Sequence, residues 1–139
     1  KYPWMKISNN KIFYNGVKIN KKSKIRKINK NNINVSFVGR LEQEHNPKFF
    51  ISIANECLKL NNKIKFNVFG EGSLFKSLKN NKKIIFHGWR NKEMIYRISD
   101  ILIITSPINH FPYVALEAKN HGVPVISCCG TTPRTCHCA

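Results

Sequence analysis

Chemistry-bearing side chains in this chain gather directly after short apolar runs. Gly39-Arg40 follows Val35 to Val38. Glycine lets the backbone turn tightly there, and a guanidinium can fork onto phosphate oxygens. His45 comes shortly afterwards. Gly70-Glu71-Gly72 follows Ile64 to Phe69 and opens a helical segment. Two glycines permit close approach of a ligand, and a helix start favours an anion. The third glycine of the dinucleotide fingerprint is missing, so a Rossmann dehydrogenase is not supported. The segment Thr105 to Ala118 runs from an apolar stretch through a loop into a helix. Backbone N–H groups of Tyr113, Val114 and Ala115 point out of that helix start and could receive a pyrophosphate. Glu117 follows within the first turns, where a carboxylate could accept from vicinal hydroxyls. A carboxylate in that place also simply stabilises the helix.

Something must hold these segments at one edge, and the hydrophobic pattern says what. Val35 to Val38, Ile64 to Phe69, Ile84 to Phe86, Ile101 to Ile104 and Val123 to Ile126 read as short buried strands. Between them lie helical patterns. Asn46-Pro47 opens the first, with Asn46 as N-cap, and Phe50, Ile53, Ala54, Cys57 and Leu58 fall on one face. Ser73 to Leu78 is a short helix. Asn91 caps a helix carrying Met94, Ile95 and Ile98. Val114 to Asn120 is another. Strand and helix in alternation predict an α/β fold, a doubly wound parallel sheet with right-handed crossovers. Such sheets bind ligands at the carboxyl ends of their strands.

The chain has 139 residues, enough for one domain with a closed core. No apolar run approaches the roughly 20 residues that span a bilayer. A formal net charge of +17 points to a polyanionic partner such as nucleic acid, a phosphate-bearing ligand or an anionic membrane. Lys, Asn and Ile dominate, however, and all three have AT-rich codons, so coding bias is the favoured source of the charge. Lys18 to Asn32 reads as a solvated basic linker. It lacks the interleaved aromatics that stack bases, which disfavours nucleic acid. Cys57 reads as a small buried hydrophobe. Cys128, Cys129, Cys136 and Cys138 crowd the last dozen residues with His137, at a spacing that fits no usual zinc module. No metal site is expected. Three regions result: a basic segment 1–34, a ligand-binding domain 35–127, and an atypical Cys-rich tail 128–139.

Taken together, the segments at the strand ends resemble family 4 glycosyltransferases of the GT-B class. Phe37-Val38-Gly39-Arg40-Leu41 with Asn46-Pro47 is similar to their "VGRL…EKNP". Gly70-Glu71-Gly72 with Leu74 is similar to "GEGxL", and Phe86-His87-Gly88-Trp89 to "FxGW". Ser106 to Ile126 resembles "S…EGFPxVxLEAMAxGxPVI", and Tyr14-Asn15-Gly16-Val17 resembles "YNGVD". The motifs occur in the family's order and cover Ile12 to Ser127.

The resemblance implies the C-terminal, Rossmann-like half of a GT-B fold, which binds the nucleotide-sugar donor, such as a UDP-sugar. It implies hexosyl-type transfer with retention in glycan or polysaccharide biosynthesis, without cofactor or bound metal. By motif, Arg40 contacts the donor diphosphate, aided by Gly39 and His45, the latter standing where the family has Lys. Gly70 and Gly72 border the donor. Gly88, Trp89 and Arg90 lie near the base. The loop of Asn109, His110 and Phe111, with Tyr113, Val114 and Ala115, holds phosphate and sugar. Glu117, the second acid of the family's E-x7-E, binds ribose hydroxyls. The first acid is replaced by Asn109, so Glu117 and Asn109 take the catalytic positions. The acceptor, a glycan or lipid-linked sugar, would be held by a separate N-terminal domain absent from this chain. A cytoplasmic location follows from the family, with peripheral contact at the inner face of the membrane. After Ser127 the family continues with a Gly-rich loop and further helices. The tail here has no Lys, Asn or Ile, which fits a C-terminally truncated domain with a frameshifted or recombined end. The alternative expectation is a non-enzymatic basic module that binds nucleic acid or an anionic membrane through Lys18 to Lys30.

Overall fold

The computed structural model describes residues 28–29, 31–107 and 113–127. Along the chain run β1 (Ile33–Val38), α1 (Pro47–Leu60), β2 (Ile64–Phe69), α2 (Phe75–Leu78), β3 (Ile84–Gly88), α3 (Lys92–Ile98), β4 (Ile101–Ile104), α4 (Tyr113–Asn120) and β5 (Val125–Ser127). All strands are parallel and pair in the order β3-β2-β1-β4-β5. The chain moves outward from β1 to β3, returns through α3, and resumes beside β1. The strand order therefore reverses between β1 and β4, and a crevice opens at their carboxyl ends. The expected doubly wound parallel sheet is the observed one.

Alternation along the strands sorts side chains to two faces. Val35, Phe37, Phe66, Val68, Ile84 and Ile103 form one core with Leu41, Phe50 and Ala54. Ile53, Cys57 and Leu58 of α1 pack against it, as their helical spacing predicts. Phe50 sits between Phe37 and Phe66, with ring centroids 5.6 and 5.9 Å away. On the opposite face Phe69, Leu102 and Ile104 pack with Ile95, Tyr96, Ala118 and Val123. That face also buries polar groups. Ser99 Oγ lies 2.7 Å from Ser36 Oγ and 2.8 Å from the Ile95 carbonyl, so neither buried hydroxyl is orphaned. At the other end of β1, the Asn34 N–H and Nδ2 both donate to Asp100 Oδ2, at 2.8 and 3.0 Å, pinning the β1–β4 register.

Several boundaries differ from the sequence expectation, each for a local reason. Asn46 does occupy the N-cap position of α1, but its side chain makes no capping hydrogen bond. Its backbone is left-handed, with φ 48°, because the chain leaves a 3-10 turn at Gln43–His45 and must swing into the helix. Asparagine tolerates that conformation better than most residues. Asn91, by contrast, caps α3 as expected, its Oδ1 accepting from the Met94 N–H at 2.8 Å. Helix α2 is shorter than Ser73 to Leu78, since the Ser73 and Leu74 N–H groups bond to Glu42 and to the Leu41 carbonyl. β5 begins after Val123, whose N–H closes the end of α4 on the Ala118 carbonyl at 2.9 Å. β3 is an edge strand, so Ile85 is exposed on one side rather than buried. The pairing of β3 with β2 also slips by one residue, His87, before Gly88 meets Phe69. The linker Lys18 to Asn32 is described only at residues 28–29 and 31–32, the last two residues of the basic segment 1–34 already belong to β1, and Cys128 to Cys138 lie outside the described residues. No helix among the described residues is long and apolar enough to cross a membrane.

Candidate functional site

At the carboxyl edge of the sheet lies a cavity of about 270 Å³. Val38 ends β1 and is followed by Gly39 and Arg40; Phe69 ends β2 and is followed by Gly70 and Glu71. Trp89 and Arg90 follow β3, α3 supplies Lys92, Ile95 and Tyr96, and α4 supplies Glu117. The floor is apolar and the rim carries cations, with Trp89 largely exposed above it. An apolar cavity with a few convergent polar groups is the usual form of a small-molecule site.

The local chain path explains why these groups meet. β1 ends at Val38 and is followed by Gly39, whose N–H donates to the Phe69 carbonyl at 3.1 Å. Leu41 is fully buried and ties the following loop down, so Arg40 between them is left projecting at the edge. Its guanidinium pairs with Glu44, which also lies 3.3 Å from His45 Nε2. His45 Nδ1 is 3.2 Å from Ser106 Oγ, and the Thr105 hydroxyl donates to the His45 carbonyl at 2.9 Å. The ends of β1 and β4 are thus laced together beside the cavity. Glu117 bonds to α3 through both carboxylate oxygens, Lys92 Nζ donating to Oε1 and the Tyr96 hydroxyl to Oε2 at 3.0 Å. Arg90 Nη1 donates to the Trp89 carbonyl at 2.8 Å.

Of the residues expected from sequence, Gly39, Arg40, Gly70, Trp89, Arg90 and Glu117 line this one cavity. His45 and Gly72 are not among the residues that line it. Gly88 closes the β2–β3 edge, its carbonyl accepting from the Gly70 N–H at 2.9 Å. Tyr113 is half exposed at the start of α4, while Val114 and Ala115 turn their side chains into the core. Asn109, His110 and Phe111 lie outside the described residues. The Gly70-Glu71-Gly72 turn differs from the sequence expectation of a ligand-facing glycine loop. Its glycines admit the neighbouring backbone: a Cβ on Gly72 would stand 2.6 Å from the Leu41 carbonyl oxygen. Nor does the following four-residue helix offer an anion site at its start. The Glu42 carboxylate already accepts from the Ser73 N–H and hydroxyl at 2.8 and 2.6 Å. Those hydrogen bonds, the hydroxyl's first, hold the Glu42 pKa below its ordinary value.

Lys92 and Tyr96 carry no site signal in the sequence, and Phe69 and Ile95 read there only as apolar strand and helix positions. The only hint was a Lys and a Tyr spaced i, i+4 on a helix whose other face is apolar. Phe69 stacks on His87 at 4.4 Å and 9°, and His87 Nε2 lies 2.9 Å from Asn67 Oδ1. Burial, and then the Arg90 charge, depress the His87 pKa below 6.5. The unfolded chain therefore takes up this proton first on acidification. Its contribution to stability is complete above the unfolded value, is lost as pH falls below it, and levels off beneath the folded value. We expect His87→Gln to remove that part of the acid slope in thermal melts between about pH 7.5 and pH 5. Equal slopes in both proteins would refute the assignment.

Among the described residues no group of His, Cys, Asp and Glu could hold a metal ion. The family model described as "Glycosyl transferases group 1" matches residues 18–134. An Escherichia coli UDP-Gal:alpha-D-GlcNAc-diphosphoundecaprenol alpha-1,3-galactosyltransferase is 33% identical over 144 residues, covering 88% of this chain and 36% of the relative. The C-terminal domain of LpcC, a glycosyl transferase group 1 family protein of Francisella tularensis, is 26% identical with a TM-score of 0.57, covering 68% of this chain and 57% of that one. The pneumococcal O-GlcNAc transferase GtfA, solved with UDP and GlcNAc, is 18% identical with a TM-score of 0.61, covering 70% of this chain and 21% of that one. The chain spans 36–37% of the length of the curated relatives it matches. Most of this chain falls within the family match, and its Rossmann-like parallel sheet is that of GT-B glycosyltransferases; it belongs to the glycosyl transferases group 1 family.

Proposed function

We propose that residues 35–127, together with the start of β1 at Ile33 and Asn34, form the nucleotide-sugar-binding part of a retaining glycosyltransferase of glycan biosynthesis. The observation that carries this is the cavity itself. It lies at the carboxyl edge of the sheet beside the strand-order reversal, with an aromatic face, an arginine and a carboxylate around one apolar floor. Each group has a part of a UDP-sugar to meet. Trp89 offers a face to the base. Glu117 accepts from the ribose hydroxyls. Arg40 pairs with the diphosphate, exchanging Glu44 for phosphate oxygens. His45, Gly39 and the start of α4 border the same phosphates, and Asn109, His110 and Phe111 are assigned to the sugar by motif. The GtfA structure, solved with UDP, supports uridine as the base.

The chemistry follows from charge. Breaking the bond between the sugar C1 and the diphosphate oxygen leaves negative charge on the departing phosphate. Arg40 and backbone donors would stabilise it, in a site that needs no rearrangement at that moment. The acceptor sugar, glycan or lipid-linked, would be presented by a further domain, with contact at a membrane surface.

Isothermal titration with UDP and with uridine tests the reading. Charge-assisted hydrogen bonds contribute about 1.5–3 kcal/mol. Arg40 must first leave Glu44, so Arg40→Ala should weaken UDP about tenfold, equivalent to about 1.4 kcal/mol. Uridine, which lacks phosphate, should change little. Absence of binding to any nucleotide would sink the proposal. So would binding of every polyanion alike with a steep salt dependence, the behaviour of a basic module.

A further inference from the structure

Glu117 meets α3 through two side chains one helical turn apart. Lys92 opens α3 and Tyr96 follows at i+4, so both lie on the face toward α4. The two contacts are unequal. Lys92 is 64% exposed at its side chain, and a pair in that setting holds weakly. Tyr96 is fully buried, its ring stacked on His121 with centroids 4.8 Å apart. Its hydroxyl, wedged between Glu117 Oε2 at 3.0 Å and the Val114 carbonyl at 3.4 Å, has little freedom to reorient. Burial, then the Glu117 charge, push the Tyr96 pKa well above its ordinary value, so the group remains a proton donor at neutral pH. An ionised carboxylate offers about four lone-pair sites. α3 uses one on each oxygen, and the side chain keeps 16% exposure at the cavity wall.

We propose that Tyr96, assisted by Lys92, is a positioning residue that fixes the Glu117 carboxylate so that its remaining lone pairs accept a vicinal diol, making the cavity selective for nucleotides with an intact ribose. This rests on the donor-site reading above. A free carboxylate would rotate and lose one of two simultaneous hydrogen bonds. One held at both oxygens presents a fixed pair of acceptors, and less entropy is lost on binding.

The experiment is calorimetric titration of the full chain with UDP and with 2′,3′-dideoxyuridine diphosphate. Two hydrogen bonds to a charged acceptor should make the wild-type chain prefer UDP by at least about tenfold. Tyr96→Phe keeps the ring and its stacking on His121 but removes the donor. Its preference should fall to about threefold or less, with the loss of affinity falling chiefly on UDP rather than on the dideoxy compound. A merely structural loss would weaken both ligands equally and leave the ratio intact, which overturns the proposal. Lys92→Ala, at an exposed position, should lower the ratio by about twofold. If Tyr96→Phe does not fold, that variant alone decides, and an unchanged ratio overturns the proposal. A wild-type chain that binds neither compound refutes the donor-site reading itself. One that binds both equally leaves that reading standing and removes the role of Glu117 with its α3 partners.

Discussion

Gly70→Ala is expected to lower the thermal midpoint by more than about 10 °C. A Cβ added at Gly70 would lie 2.0 Å from the Gly39 carbonyl oxygen, well inside contact distance. The residue also has φ +129°, which side-chain-bearing residues rarely adopt. Neither backbone can easily give way. The Gly70 N–H is bonded to the Gly88 carbonyl at 2.9 Å, and the Gly39 N–H to the Phe69 carbonyl at 3.1 Å. Strain and overpacking together come to about 2–6 kcal/mol. A domain of this size has only about 5–15 kcal/mol in all, so much of its stability would go. Circular dichroism melts provide the check. A midpoint within about 3 °C of the wild type would mean that the β1 and β2 ends separate freely. Because Gly39 and Gly70 both line the cavity, the variant should lose UDP binding along with stability.

Leu41→Ala should cost about 2–5 kcal/mol, the range for truncating a buried leucine. Leu41 has no exposed surface and packs into the core beneath α1 and α2. Its N–H donates to the Glu71 carbonyl at 2.9 Å, and its carbonyl accepts from the Leu74 N–H at 3.0 Å. Alanine keeps both bonds, so the loss is one of packing. The side chain is also the anchor next to Arg40, and loosening it should add a binding defect to the stability defect. Urea unfolding should show a lower midpoint at an unchanged slope. A loss under about 1 kcal/mol would show that the site collapses around the smaller residue. Saturating UDP should recover part of the stability by mass action, about 2.7 kcal/mol at a hundredfold excess over Kd.

Features that depend on neighbours in the chain were legible. Ile101 to Ile104 stands where its apolar run places it, because a buried parallel strand needs apolar residues on both faces. The Asn91 cap was readable because capping involves only the following turn. Asn46 misled in part: its identity suits both a cap and a left-handed turn, and the choice depends on how the chain leaves β1. The glycines at 70 and 72 were marked as special, but not for their reason. What they accommodate is backbone some 30 residues earlier in the chain, at Gly39 and Leu41.

The amino-acid sequence alone therefore specified the alternating elements, the parallel sheet, and which motifs end up at strand termini. These follow from hydrophobic period, capping and turn chemistry, all of which act over a few residues. The tertiary structure alone decided which carboxylate meets which cation. Arg40 and Glu44 are four residues apart, yet Glu117 is held by Lys92 and Tyr96, more than 20 residues away. Such pairings carry no local signature. They arise because a strand-order reversal brings α3 and α4 together over the carboxyl end of β1, where the packing of two helices sets the distance between their polar edges.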